Sequence, residues 1–168
     1  MKTNDRFTRP AQKAIELAHA AASELGHSYV GTEHLLVGLC REEEGLGSRI
    51  LRKATAWSFL GKTATMETDR PIGYVHRKSG YELVYPLNYG YIPGVLGGDG
   101  EELDVYLIGV NEPVERFTGR IIGIAHREND IEDKLIMAPP DKKFTRDEVE
   151  RAVHFQEQYY DTQIELIE

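Results

Sequence analysis

Residues Tyr85–Asp104 read YPLNYGYIPGVLGGDGEELD. A tyrosine- and glycine-rich stretch runs directly into four carboxylates, Asp99, Glu101, Glu102 and Asp104, all within six residues. Like charges at that density repel, so a folded chain keeps them only where water or a bound cation compensates. Mg²⁺ prefers carboxylate and water oxygens and commonly bridges to phosphate. The stretch therefore reads either as a site for phosphate chemistry or as a solvated Asp-Gly turn entering a strand. Two details favour the site. Asn88, Tyr89 and Tyr91 precede the acidic run at close range, and a phenol can donate to anionic oxygen. Gly90, Gly94, Gly97, Gly98 and Gly100 suit a backbone that a ligand must approach closely.

Outward from this stretch the texture is that of short strands. Thr63–Thr68, Tyr74–His76, Glu82–Tyr85, Leu103–Ile108, Arg120–His126 and Lys134–Ala138 are the candidates, separated by Pro, Gly and Asp turns. That pattern predicts a small barrel or sandwich. Thr145 and Glu148 are spaced as a capping box, with Phe144 and Val149 at the staple positions, so a helix should run from there to about Tyr160. A second acidic group, Glu128, Asp130, Glu132 and Asp133, precedes Lys134. Taken alone, it fits a charged hairpin loop between two strands equally well.

The first 55 residues are helical in pattern. Ala11, Ala14, Ile15, Ala18, Ala21, Ala22 and Leu25 recur at helix spacing, with Thr8 as N-cap and Gly26 as stop. A second helix should begin at a Thr32 cap and bury Leu35, Leu36, Leu39 and Cys40. A third should run from about Gly47 to Lys53, with Ala54–Phe59 as a short junction and Trp57 and Phe59 as packing anchors. The expected division is 1–55 and 56–168. His27 and His34 lack a third ligand or a His-Glu-x-x-His arrangement and read as packing or capping residues.

Charge is uneven along the chain. Residues 1–55 carry 8 Lys+Arg and 7 Asp+Glu, whereas residues 56–168 carry 12 and 21. The acidic second part argues against nucleic-acid binding through phosphate contacts, and an anionic substrate would need metal ions to invert the local sign. A single cysteine excludes an intrachain disulfide. With no apolar signal core and no run of membrane-spanning length, a cytoplasmic location is expected.

NYGYIPG followed by GDGEELDV resembles the signature region of the soluble family I inorganic pyrophosphatases, where Asp-Gly-Asp-Pro-hydrophobic-Asp follows an Asn-Tyr-Gly-Tyr segment. The resemblance runs from Gly61 to roughly Ile164. It implies an α+β protein with a small OB-like five-stranded β-barrel and a C-terminal helix, preceded here by the short all-helical segment. It implies Mg²⁺-dependent hydrolysis of pyrophosphate or a related phosphoanhydride, in an oligomer. Asp99, Asp104, Glu132 and Asp130 would be metal ligands, with Glu128 competing for the position given to Asp130. Glu101 would be the base, standing where the family has Asp. Tyr89, Lys134, Tyr159, Glu67 and Arg77 (or His76) would contact substrate. Two family lysines are replaced, by Thr65 and Tyr160, and the motif's proline by Glu102. The alternative implied is therefore a weak or inactive relative that binds or regulates.

FTRPAQKAIELAHAAASELGHSYVGTEHLLVGLCREEEGLGSRIL is similar to the N-terminal domain of Clp-type ATPases, a module of two tandem helical repeats that docks proteins. About one repeat is present. The likeness implies a protein partner for residues 1–55 or self-association.

Overall fold

The computed structural model describes residues 6–42, 44–78, 80–97, 101–130 and 132–167. Three helices lead, α1 (Arg9–Glu24), α2 (Thr32–Arg41) and α3 (Leu46–Phe59). The Thr8 hydroxyl accepts from the Ala11 N–H at the start of α1, and Gly26 takes a φ of +72° just beyond its end. The buried face of α1 is all alanine: Ala14, Ala18, Ala21 and Ala22. Gly38 of α2 packs so closely on it that an added Cβ would lie 2.2 Å from the Ala14 carbonyl oxygen.

Three expectations fail here. Thr32 opens α2 rather than capping it; Gly31 is the N-cap, its N–H donating to His34 Nδ1 at 2.9 Å. Leu35, Leu36, Leu39 and Cys40 are exposed, while His34 and Gly38 are buried. Apolar periodicity marks an apolar stripe, but which stripe is buried depends on what is there to cover it. Finally, α3 continues past Lys53 through Ala54–Phe59, so the expected junction is helix. Ala56, Phe59 and Leu60 at its end pack on the core of the strand-rich part.

Eight strands follow: β1 (Thr63–Arg70), β2 (Val75–Lys78), β3 (Tyr81–Val84), β4 (Asn88–Leu96), β5 (Glu102–Leu107), β6 (Arg116–Arg127), β7 (Lys134–Ala138) and β8 (Thr162–Leu166), with helix α4 (Arg146–Glu157) between the last two. β2 and β3 form a separate hairpin. The other six form one sheet in the order β1-β4-β5-β7-β6-β8, and β1 also pairs with β6, so five of them close a circuit. β8 lies outside that circuit, on β6. Every pairing in the sheet is antiparallel except β5–β7. The α+β class holds, with one strand more in the sheet than expected.

Two strands were not legible. β4 contains Gly90, Pro93 and Gly94, which read as turn punctuation, and β8 lies beyond the last helix. The glycines have structural reasons that differ from ligand approach. A Cβ on Gly90 would stand 1.8 Å from the Glu67 carbonyl oxygen, so β1 and β4 cross only because no side chain is there. Gly94 takes a φ of +73° in the irregular register between Tyr91 and Leu96, where Pro93 also sits.

Side chains alternate across β5, β6 and β7 into two cores. Val105, Leu107, Ile121, Ile124, Leu135 and Met137 fill one, together with Met66. Tyr106, Ala125 and Ile136 face the other, where Tyr85, Tyr89 and α4 residues Val149 and Val153 cover them. The Thr145–Glu148 capping box forms as expected, and α4 ends at Glu157, short of Tyr160. Among the described residues no helix is long and apolar enough to cross a membrane.

Candidate active site

The pairing of β5 with β7 sets Val105 opposite Leu135, which puts Asp104 beside Lys134 at the same end of the sheet. Lys134 Nζ donates to Asp104 Oδ2 and to Glu132 Oε2, with Glu132 arriving from the loop between β6 and β7. Tyr89, on the neighbouring β4, donates its hydroxyl proton to the same Asp104 oxygen at 2.5 Å. Burial pushes the Tyr89 phenol well above its ordinary pKa, and the Asp104 charge adds to this, so the hydroxyl stays a donor.

These groups line a cavity of about 450 Å³. Its wall adds Asp69, Glu101, Glu102 and Asp130 to the two carboxylates above, against three cations, Arg70, Arg127 and Lys134. Six carboxylates and three cations leave an excess of three negative charges. Burial raises the Asp69 carboxyl, with the Asp104 charge adding and Arg70 opposing. Glu102 is partly engaged elsewhere, accepting from the Gly94 N–H at 2.8 Å.

The two arginines play different parts. Arg70 follows an irregularity in the β1–β4 register at Thr68–Arg70, which turns its side chain toward the cavity. Its Nη1 donates to the Tyr85 hydroxyl at 2.8 Å, and its guanidinium carbon lies 5.1 Å from the Tyr89 ring centre. Arg127, at the end of β6, is buried. Its Nε and Nη2 reach the two oxygens of Glu157 at 3.0 and 2.6 Å, and its Nη1 reaches Asp130 at 3.0 Å. The Tyr160 ring covers it at 3.6 Å. Burial works against both ionised groups of this pair, yet their mutual bonds outweigh it, holding Glu157 below its ordinary pKa and Arg127 above.

Of the residues singled out from the sequence, Tyr89, Glu101, Asp104, Asp130, Glu132 and Lys134 come together on this cavity. Asp99 lies outside the described residues. Glu67 is adjacent rather than lining: it pairs with Arg116 and accepts from the Tyr91 hydroxyl at 3.3 Å. Arg77 is not brought in; it sits on the β2–β3 hairpin, exposed and bonded to Glu82 at 3.0 Å. His76, on the same hairpin, is not among the lining residues either. Tyr159 is exposed and set edge-on against Tyr81. The residues missed are Asp69, Arg70, Arg127 and Tyr160 as a lining group. Arg70 was recoverable only as the nearest cation to the acidic strand end. Arg127 could have been found from the alternation of β6, which sets it opposite in facing to His126.

His27, Glu33 and His34 form the one three-residue group among the described residues whose possible ligand atoms lie within 4.8 Å of one another. Their hydrogen bonds explain them without an ion. His34 Nδ1 accepts from the Gly31 N–H, which places the ring proton on Nε2, and that atom faces His27 Nδ1 at 2.8 Å. A metal on Nε2 would have to displace this proton. The pair caps α2.

Carboxylate oxygens from β5 and from the 128–133 loop, converging around one ammonium in a polar cavity, are a hard-oxygen donor set of the kind that suits Mg²⁺.

Two family models match the chain, and their spans overlap over residues 60–84. The family described as Clp repeat (R) N-terminal domain matches residues 6–84. The chaperone protein ClpB of Oceanobacillus iheyensis is 56% identical over 45 residues, 27% of this chain and 6% of that protein. The negative regulator of genetic competence ClpC/MecB of Bacillus subtilis is 53% identical over 51 residues, 30% of this chain and again 6% of that protein. The chain thus spans about 6% of the length of these curated relatives. Among solved structures, the inorganic pyrophosphatase from Ehrlichia chaffeensis is 18% identical with a TM-score of 0.48, over 64% of this chain and 88% of that one. The family described as inorganic pyrophosphatase matches residues 60–165, which is 106 of the 168 residues. By that match the chain belongs to the inorganic pyrophosphatase family.

Proposed function

We propose that the chain hydrolyses inorganic pyrophosphate, or a closely related phosphoanhydride, to phosphate with Mg²⁺ as cofactor, on a sheet circuit that we read as an OB-like barrel. The observation that carries this reading is the meeting of Asp104 and Glu132, from two separate acidic segments, on one buried ammonium, Lys134. Asp104, Glu132 and Asp130 would hold the metal, with Asp99 as a further ligand. Bound there, Mg²⁺ supplies charge neutralisation to the phosphates and makes a coordinated water easier to deprotonate.

The remaining work falls to the chain's own groups. Glu101, at the cavity edge, accepts the proton of the attacking water. Its side chain is one methylene longer than the family's Asp, and misplacement of about an ångström can cost on the order of a hundredfold in rate. Lys134 and Arg70 face the phosphate oxygens, and the Tyr89 hydroxyl fixes Asp104. Arg70 takes the phosphate-binding role that the sequence assigned to Arg77, because Arg70 lines the cavity and Arg77 does not. Glu67, Tyr91 and Tyr159 border this arrangement.

The test is release of orthophosphate from pyrophosphate with Mg²⁺ or Mn²⁺, for the parent chain and Asp104→Asn. Strong loss on that substitution supports the reading. Equal rates would remove Asp104 as a metal ligand, and no release with either metal would remove the enzyme.

A second reading concerns the helices. Leu35, Leu36, Leu39, Leu46 and Ile50 are all exposed on α2 and α3, which supports docking of a protein partner or of a second copy. Sedimentation of the full chain against Leu36→Glu decides whether self-association runs through this face.

A further inference from the structure

We propose that helix α3 braces the candidate metal-binding groups: Trp57, acting through Glu165 and His126, is a positioning residue for Asp130 and Glu132. The proposal rests on the functional reading above, since the acidic loop 128–133 supplies Glu132 and Asp130.

The chain of contacts is continuous. Trp57 Nε1 lies 2.8 Å from Glu165 Oε2 and 3.3 Å from His126 Nε2, and His126 Nε2 lies 2.9 Å from the same Glu165 oxygen. An indole N–H only donates, and the carboxylate is the nearer of its two acceptors, so Glu165 gathers Trp57 and His126 together. Hydrogen bonds from His126 and then Trp57 hold the Glu165 carboxyl below its ordinary pKa, against the effect of burial. On the other side of the ring, His126 Nδ1 meets Asp133 Oδ2 at 2.7 Å.

The location gives these bonds their meaning. β6 and β7 pair at Ala125 and Lys134, so His126 and Asp133 are the next residues outward and stand at the base of the loop. Alternation sends Arg127 and Lys134 into the cavity and His126 and Asp133 to the opposite face. The front of the loop is held by Arg127 on Asp130 and by Lys134 on Glu132. Its back is held by the His126–Asp133 tie, which α3 reaches through Trp57. Outer partners of this kind orient the groups that hold a metal. The helical segment thereby contributes to a site it does not line.

The experiment is a Mn²⁺ titration of the full chain, with free ion read by electron paramagnetic resonance, so that no turnover is needed. Trp57→Phe keeps a ring in place but removes the indole donor. Its apparent Mn²⁺ dissociation constant should rise by about tenfold, the lower end of what outer partners contribute. Turnover at saturating Mg²⁺ should stay within about twofold, a split that general destabilisation does not produce. Glu165→Ala removes the shared acceptor from a partly exposed position, should give the same rise, and carries the test if Trp57→Phe fails to fold. Mn²⁺ affinity within about twofold of the parent in both variants overturns the proposal. If in that case Asp104→Asn still weakens binding, the role of Trp57 falls and the metal site stands. A parent chain that takes up no Mn²⁺ overturns both.

Discussion

Arg127→Met should be the most destabilising single change at the margin of the cavity, and its cost can be worked from the contacts. Methionine keeps most of the stem volume beneath Tyr160 but removes every donor. Glu157 then loses both guanidinium bonds and keeps only the hydroxyls of Tyr106 and of Thr162, the latter at 2.6 Å. A buried carboxylate deprived of its cation costs about 3–5 kcal/mol. For a chain of this size each kcal/mol lowers the melting temperature by about 2–4 °C, so a drop on the order of 10 °C is expected.

The pH dependence has a definite sign. Glu157 titrates below its ordinary value of 4.5 in the folded chain, so its contribution is fully present above that pH and is lost as pH falls through the depressed folded value. The gap between parent and Arg127→Met should therefore shrink as pH falls, first because burial without a cation makes Glu157 protonate more readily in the folded variant, and then because the parent loses its own contribution below the ordinary value. Urea denaturation at a series of pH values measures it. Arg127→Met combined with Glu157→Leu should recover most of the loss, because removing both charges leaves no buried ion unpaired. A single-mutant cost under about 1 kcal/mol, or a double mutant no better than the single, refutes the claim that this pair holds β6, α4 and β8 together.

Further outcomes follow from the same geometry. Arg70→Met should lower kcat/KM for pyrophosphate by about tens- to several-hundredfold, the scale of one charged contact to a transition state, while Arg77→Ala should leave it within about twofold; steady-state kinetics with the two results reversed would return the role to the hairpin. Gly90→Ala should destabilise by about 1–3 kcal/mol or more, since β1 must move away from the new methyl, and a thermal melt equal to the parent's would contradict the close crossing. Thr145→Ala should cost about 1 kcal/mol through loss of the α4 cap, measurable by denaturant titration.

Much of this was legible beforehand for identifiable reasons. The capping box at Thr145, the Thr8 cap and six of the eight strands depend on short-range rules, and they formed with small shifts at the ends. Asp104, Glu132 and Lys134 were expected at one site from the family resemblance, and the fold brings the three together. β4 failed because its glycines and proline were read locally, whereas Gly90 answers to the carbonyl of a strand that is distant in sequence. The leucine stripe of α2 failed for a similar reason: helix periodicity cannot say which neighbour is present. Arg70 was missed because a register irregularity, invisible in one dimension, decides where the side chain at the end of β1 points.

The two basic residues absent from the family pattern have different consequences in space. Arg127 lies beneath Tyr160, at the place where a lysine was expected, but Glu157 and Asp130 already claim its charge, and it is almost wholly buried. It organises the wall and offers little to an incoming phosphate. Arg70 is held by a phenol and two ring faces, with Asp69 3.6 Å from its Nε, and its side chain is 31% exposed. Of the two arginines, it is the one whose charge is still available. Under the proposed function, a cavity with three excess negative charges and one accessible arginine would depend on divalent cations to admit an anion, more than a site carrying both family lysines would. Substrate binding should consequently track metal concentration steeply. Restoring a cation at Tyr160 would gain little, because it would have to stand beside Arg127.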